Sequence, residues 1–335
     1  MKKILVTGGL GFIGSHTAVE LQNAGFEVVI IDDLSNTTID VLDNIASITG
    51  VKPEFHQIDL RIKSDVKNFF DTTKIDGIIH FAASKAVGES VSKPLDYYEN
   101  NIGSLVYLLQ EMRDRNIDHF IFSSSCTVYG QADELPITEN APTKPAESPY
   151  GNTKQIGEEI IKEGCKAHNM NAIALRYFNP IGAHDSVKIG ELPLGVPQNL
   201  IPFITQTAAG IRKELSVFGD DYNTPDGTAV RDYIHVVDLA KAHIAALQRL
   251  LDNKNKTNFE YFNVGTGTGS SVLEVIKAFE KASGKPLNYK IVGRREGDIT
   301  AAYADTTIAN KELNWKTEKT LDEALLSAWK WQLKQ

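Results

Sequence analysis

The chain is poor in cysteine, and the two it has, Cys126 and Cys165, make no disulfide framework. Neither Cys-x-x-Cys nor His-Glu-x-x-His spacing occurs and the eight histidines are scattered, so no metal is expected. Basic runs longer than two residues are missing and the formal net charge is −8. That balance argues against a nucleic-acid partner, and any anionic ligand must be met by local charge. No apolar stretch approaches the roughly 18 residues of a membrane span. Met1-Lys2-Lys3 carries the charge of a signal peptide, but the apolar run behind it ends at Thr7 and Gly8. These absences point to a soluble protein of a reducing compartment, the cytoplasm.

What is present is enough for a large core: 335 residues, 42% of them hydrophobic. At ~150 residues per domain the length suggests two lobes. Lys3 to Thr7 reads as a short strand. It runs into Gly8-Gly9-Leu10-Gly11-Phe12-Ile13-Gly14 and then a helical pattern through Leu21 to Ala24. Strand, glycine turn and helix together make a phosphate cradle, because glycines let the backbone approach a ligand and the helix start offers free N–H groups. A second strand, Glu27 to Ile31, ends in Asp32, placed to bind the adenine ribose hydroxyls. A carboxylate there repels a 2′-phosphate, so the expected cofactor is NAD rather than NADP.

Strands at Glu54 to Gln57, Gly77 to Phe81, His119 to Ser123 and Ala172 to Phe178 alternate with helices at Ser64 to Asp71, about Pro94 to Arg115, and Tyr150 to about Lys166. The alternation predicts an α/β fold: a Rossmann-type doubly wound parallel sheet with a smaller C-terminal α/β substrate lobe. Residues 1–178, with contributions from about 230–265, read as the NAD-binding domain, and 179–335 mainly as the substrate lobe. Ligands bind beyond the carboxyl ends of such strands. There stand Asp59 and Leu60, then Phe81, Ala82, Ala83, Ser84 and Lys85, and finally Ser123-Ser124-Ser125. Tyr98, Ile102, Leu105, Leu109 and Met112 form an apolar stripe of three-four spacing. Core packing is its default reading, and with Ile156, Ile160 and Ile161 it is also a candidate homodimer interface.

Tyr150 and Lys154, four apart at the head of a helix, share one face. A fixed cation favours a phenolate and lowers the tyrosine pKa, which suits the pair to proton transfer. Ser125 can reach a hydroxyl that Tyr150 also touches. In the second half, Arg231 and the run Arg294-Arg295-Glu296-Gly297-Asp298 suit a diphosphate, with Asp298 able to hold the Arg295 guanidinium. Asn199 stands before a helical run that it can cap, aiming free N–H groups at the same anion. A second diphosphate site suggests a nucleotide-sugar substrate.

Taken with Lys85-Ala86-Val87-Gly88-Glu89-Ser90, Arg176-Tyr177-Phe178-Asn179-Pro180 and Arg231-Asp232-Tyr233-Ile234-His235, these motifs closely resemble the extended short-chain dehydrogenase/reductases over nearly the whole chain. The resemblance implies NAD-dependent interconversion of UDP-galactose and UDP-glucose at C4 through a transient 4-keto sugar, with the cofactor retained throughout. It implies Tyr150 as base, Lys154 as the cation that lowers its pKa and bonds the nicotinamide ribose, and Ser125 as helping to pass or position the proton. It implies NAD contacts from Gly8, Gly11, Phe12, Ile13, Gly14, Asp32, Asp33, Leu34, Ser35, Asn36 and Thr37. Further NAD contacts come from Asp59, Leu60, Phe81 to Lys85, Asn100 and Phe178. Asn179, Asn199, Leu200, Phe218, Arg231, Arg295 and Asp298 are implied on the UDP side. Two departures stand out. Asp33 replaces the usual Asn, and small Ala302 stands where some members carry tyrosine, which would leave room for the N-acetyl group of UDP-N-acetylglucosamine or UDP-N-acetylgalactosamine. A 4,6-dehydratase of the same family would need an acid and base where this chain has Cys126 and Thr127. A non-catalytic NAD-sensing protein would not need both Tyr150 and Lys154.

Overall fold

The computed structural model describes residues 1–295 and 298–335. The first half runs β1 (Lys3–Thr7), α1 (Phe12–Asn23), β2 (Glu27–Asp32), α2 (Asp40–Thr49), β3 (Glu54–Gln57), α3 (Lys63–Thr72) and β4 (Gly77–His80). It continues through α4 (Val87–Ser92), α5 (Pro94–Tyr98), α6 (Ser104–Arg115), β5 (His119–Ser123), α7 (Pro149–Ala167) and β6 (Asn171–Tyr177). The second half holds β7 (Asn179–Ile181), α8 (Leu200–Ala208), β8 (Leu215–Phe218), β9 (Val230–His235), α9 (Val236–Leu251) and β10 (Phe259–Val264). After these come β11 (Gly269–Ser271), α10 (Val272–Ser283), β12 (Tyr289–Val292), β13 (Ala301–Ala302), α11 (Thr307–Leu313) and α12 (Leu321–Gln332).

Seven strands form one parallel sheet in the order β10-β6-β5-β4-β1-β2-β3. The strand residues explain why helices cover both faces. Ile4-Leu5-Val6 and Val28 to Ile31 are buried runs without polar alternation. Successive side chains point to opposite faces. Val6 and Ile79 accordingly pack with Val19 and Leu247 of α1 and α9, while Leu5 and Ile78 pack with Phe70, Leu105 and Ile161 of α3, α6 and α7. The order reverses between β1 and β4, which opens a crevice at their carboxyl ends.

Three elements of the second half join this sheet: β10 pairs with β6 at its edge, α9 packs on α1, and α11 packs on β10 and α9. The others build a smaller layer in which β9 is flanked by β11, β13 and β7, beside a β8–β12 pair. Its core gathers Ile204, Tyr233, Phe279 and Trp329. Capping boxes at Ser271/Glu274 and Thr320/Glu323 start α10 and α12.

Two sequence expectations change. The helix expected over 94–115 contains a π turn at Glu99–Gly103, an inserted residue that three-four periodicity does not register. The apolar stripe also divides. Leu105, Leu109, Met112 and Ile161 are buried in this chain's own core and so cannot be a dimer surface, because α6 and α7 turn that side onto the sheet. Tyr98, Ile102, Ile156 and Ile160 stay partly accessible.

The seating of α7 on the sheet depends on Gly157. A Cβ there would lie 2.9 Å from the Phe122 ring and 3.3 Å from Leu105. Replacing Gly157 by valine should therefore destabilise the fold by about 1–3 kcal/mol, as overpacking does. A lowered urea midpoint checks this, and an unchanged one would show that Phe122 yields instead.

Candidate active site

Beyond β1 the chain turns at Gly8, whose φ of +66° favours glycine, and its N–H donates to the Ile31 carbonyl at 2.7 Å. A Cβ on Gly8 would sit 2.8 Å from the Ala82 nitrogen, and one on Gly14 would sit 2.2 Å from the Gly8 oxygen. Helix α1 follows with Gly11 at its N-cap and no side-chain cap, leaving its first-turn N–H groups for another acceptor. Phe12 and Ile13 are half-buried in that first turn. This cradle fits a dinucleotide pyrophosphate.

Asp32 ends β2 and accepts N–H donors from Leu10 (3.1 Å) and Leu34 (3.0 Å), one per oxygen. Lone pairs remain for ribose hydroxyls. Burial raises its pKa. Asp33 is engaged with the amide and hydroxyl of Ser35 (2.9 and 2.7 Å), so its carboxylate serves its own turn. Leu34 adopts φ +62°, Asn36 is exposed, and Thr37 donates to the Leu10 carbonyl at 2.7 Å, tying this loop to the glycine turn. Asp59 pairs with Arg61 (2.7 Å), which holds its carboxyl below the usual range, and neighbouring Leu60 is buried.

After β4, Phe81, Ala82 and Ala83 are half-buried beside the cradle. Asn100 reaches the Ser84 hydroxyl (3.0 Å), but the firmer tie comes from a residue the sequence reasoning missed. Asn101 accepts the Ser84 N–H (2.8 Å) and donates to the Ser84 carbonyl and the Thr153 hydroxyl (3.0 Å each). The signal was present as adjacent asparagines, but the π turn decides which one faces inward. Lys85 pairs with Glu191 at 3.5 Å.

Helix α7 is capped by Ser148, which accepts the Gly151 N–H at 3.1 Å, and has Pro149 at its first position. Tyr150 therefore lies in the first turn and Lys154 one turn on, both buried. The ammonium of Lys154 donates to the Ser123 carbonyl (2.8 Å) at the end of β5 and lies 5.7 Å from the centre of the Tyr150 ring. Burial lowers the Lys154 pKa to about 8. The sequence expectation was that Lys154 lowers the tyrosine. Burial dominates and raises the phenol well above 10, with hydrogen bonding to Ser125 in opposition. Ser125 is buried on an extended backbone and accepts the Thr127 N–H (3.2 Å).

Beyond β6, Phe178 is buried and Asn179 opens β7 against Tyr233 of β9. Asn199 does stand at the N-cap of α8, but its side chain does not cap the helix. It donates to Glu191 at 2.6 Å, leaving the α8 start, Leu200 included, without a side-chain cap. Arg295 donates to both Asp298 oxygens (2.8 and 3.2 Å), and its guanidinium lies over the Phe218 ring. Arg231 approaches the same carboxylate at 3.6 Å. Arg294 turns instead to Asp221 and Tyr222. Glu296 and Gly297 of that motif lie outside the described residues. Ala302 is the β-partner of Arg231 but does not stand open to the cleft. It is 2% exposed among Val128, Tyr129 and Phe178, because β13 packs inward beside β9.

A family model described as GDP-mannose 4,6 dehydratase matches residues 5–327. The UDP-glucose 4-epimerase of Drosophila melanogaster is 50% identical over 336 residues, 98% of this chain and 96% of that protein. That of Bacillus subtilis is 49% identical over 330 residues, with 98% and 96% covered. The crystal structure of UDP-glucose-4-epimerase from Stenotrophomonas maltophila with bound NAD and formylated UDP-arabinopyranose matches with a TM-score of 0.96 at 46% identity, over 100% of this chain and 98% of that one. The enzyme from Bifidobacterium longum in complex with NAD+ and UDP gives 0.95 at 48% identity, over 99% and 98%. The dehydratase model and the epimerase relatives both cover nearly the whole chain. Cys126, whose thiol burial pushes up to about 12, and Thr127 favour the epimerases, since neither is the carboxylate that an elimination calls for. The chain belongs to the UDP-glucose 4-epimerases of the extended short-chain dehydrogenase/reductase family.

Proposed function

We propose that this chain interconverts UDP-galactose and UDP-glucose by inversion at C4. The observation that carries the reading is the buried Tyr150–Lys154–Ser125 cluster. It lies at the same carboxyl end of the sheet as the glycine cradle, with Asn179 directly beyond β6. Gly8, Gly11 and Gly14 hold the pyrophosphate of NAD and Asp32 its adenine ribose. Phe12, Ile13, the Asp33 to Thr37 loop, Asp59, Leu60, Phe81 to Lys85, Asn100 and Phe178 complete that side. Bound NAD supplies a reversible hydride acceptor and a positively charged ring, so the sugar passes through a 4-keto form with no net oxidation.

Tyr150 takes the proton from the 4-hydroxyl and later returns one. Because burial alone keeps this phenol protonated, positive charge must offset it, and Lys154 is the fixed cation one turn away. Ser125 passes or positions the proton. Arg231 and Arg295, held by Asp298, take the diphosphate, with Asn179, Asn199, Leu200 and Phe218 around the remaining UDP. Anchored there, the 4-keto sugar can turn and present its other face.

We assign cofactor binding to residues 1–178 with about 230–265, and UDP-sugar binding mainly to 179–335. We further infer a homodimer through the partly accessible side of the 94–115 and 149–167 segments. We infer acceptance of N-acetylated sugars only through the neighbours of the enclosed Ala302: its small side chain lets Phe178 and Arg231 sit back from the sugar, where a tyrosine would push them forward. The two free cysteines fit work in the reducing cytoplasm, where fractionation should find the protein.

Incubating the purified protein with UDP-galactose and no added NAD should yield UDP-glucose by proton NMR without accumulation of NADH. A 4-keto-6-deoxy product would instead mean dehydratase chemistry. Tyr150→Phe should slow turnover roughly 10²- to 10⁴-fold, the usual worth of a positioned acid–base group. Ala302→Tyr should abolish conversion of UDP-N-acetylgalactosamine while sparing UDP-galactose, and equal loss of both would refute the size argument. Light scattering should give twice the chain mass, and Ile160→Glu should halve it.

A further inference from the structure

Glu158 and Arg176 form an ion pair that the proton-transfer reading does not use. It is buried, with side chains 9% and 6% exposed, and lies one turn beyond Lys154 on α7. Arg176 donates to both carboxylate oxygens, from Nε (2.9 Å) and Nη2 (2.5 Å). Each partner then reaches the strand-end segment that carries Ser125. The Ser124 hydroxyl donates to Glu158 at 2.5 Å, and Arg176 Nη1 donates to the Tyr129 hydroxyl at 2.9 Å. Tyr129 passes its own proton to Asn263 of β10 (2.7 Å), whose amide nitrogen donates to Ile137 (2.9 Å). The six-residue stretch Ser124–Tyr129 is thus gripped at both ends by one ion pair, with Ser125 between the grips. The pair is rooted in α7, which carries Tyr150 and Lys154, and in β6, whose next residue, Tyr177, bonds Ser123 at 2.8 Å.

We propose that Glu158 is a positioning residue: with Arg176 it fixes Ser125 relative to Tyr150, and its carboxylate is the counter-charge that keeps Lys154 an ammonium. Simple ion-pair ballast would not need to end on Ser124 and Tyr129, and a mere core contact would not need charge. Burial works against the Lys154 cation, and Glu158 is the charge that opposes this effect. The other titratable groups facing Lys154 cannot substitute. Tyr150 shares its helix but is the proton carrier itself and bears charge only after giving up its proton, and Tyr177, which ends β6, is a phenol raised by burial. Cys126 beyond them is likewise held neutral by burial. His80 at the end of β4 is lowered to about 3 by burial and by Lys154 itself, so it too is neutral. Arg176 and Tyr129 lie on the far side of Glu158, the first a cation and the second a buried phenol.

The inference rests on the proposed roles of Tyr150 and Lys154, and the test separates the two. Glu158→Gln keeps an acceptor for Ser124 and removes the charge. The variant should lose roughly 10- to 100-fold in kcat, the scale of a misplaced reacting group, with KM for UDP-galactose within about twofold. The alkaline limb of its kcat profile should move to lower pH by about one unit, because Lys154 then loses its proton more easily. Should that variant fold poorly, Glu158→Gln with Arg176→Gln removes both charges and keeps hydrogen-bonding groups toward Ser124 and Tyr129, and the alkaline limb should still move down. Wild-type kcat and an unmoved limb in either folded variant, beside an inactive Tyr150→Phe, would overturn the positioning role alone. A Tyr150→Phe variant of wild-type turnover would overturn the proton-transfer reading and this inference with it.

Discussion

A cation held inside the protein sets the terms for the rest of the site. The Lys154 ammonium is almost wholly buried, and ions lose much of their hydration on such transfer. It persists because the Ser123 carbonyl accepts from it, the Phe122 ring lies 4.9 Å away, and a carboxylate stands one turn along the same helix. Each of these neighbours comes from the β5 end or from α7. The helix and the strand must meet closely, and Gly157 makes that approach possible.

The same closeness brings together groups that are far apart in sequence. Ser125 belongs to the turn after β5, Tyr150 to α7, and Arg176 to β6, yet all converge beyond the carboxyl ends of adjacent parallel strands. A parallel sheet puts every such end on one side, so chemistry gathers there. The second lobe uses a different device. Arg231 and Arg295 converge on one carboxylate, Asp298, which holds two like charges near each other and leaves donors for an anion. Asn199 and Lys85 meet on Glu191 in a comparable way, so polar groups on both sides of the cleft have partners before any ligand arrives.

Electrostatics also shows where local reasoning about a pair goes wrong. A tyrosine and a lysine four apart suggest a lowered phenol, since the lysine charge is the obvious neighbour. Burial of Tyr150 disfavours the phenolate and outweighs the hydrogen bond to Ser125 that opposes it. The apolar stripe on α6 kept its default reading as core and lost only part of the dimer reading. Periodicity identifies an apolar face but not what covers it, and here Leu105 and Met112 meet the sheet.

The sequence by itself determined the strand–glycine–helix start, the parallel alternation, the acidic end of β2, and the Tyr150–Lys154 spacing. These are local: each depends on residues within one turn or one strand, where backbone sterics and side-chain period leave few choices. Tertiary structure decided the partners. It chose Asn101 over Asn100 for the Ser84 loop, turned Asn199 toward Glu191, enclosed Ala302, and joined Glu158 to Arg176, Ser124 and Tyr129. Those contacts link residues from 8 to 47 positions apart, and the choice of Asn101 hinges on a one-residue π insertion. Hydrogen bonds and burial of that kind depend on how packed elements approach one another, which no local pattern encodes.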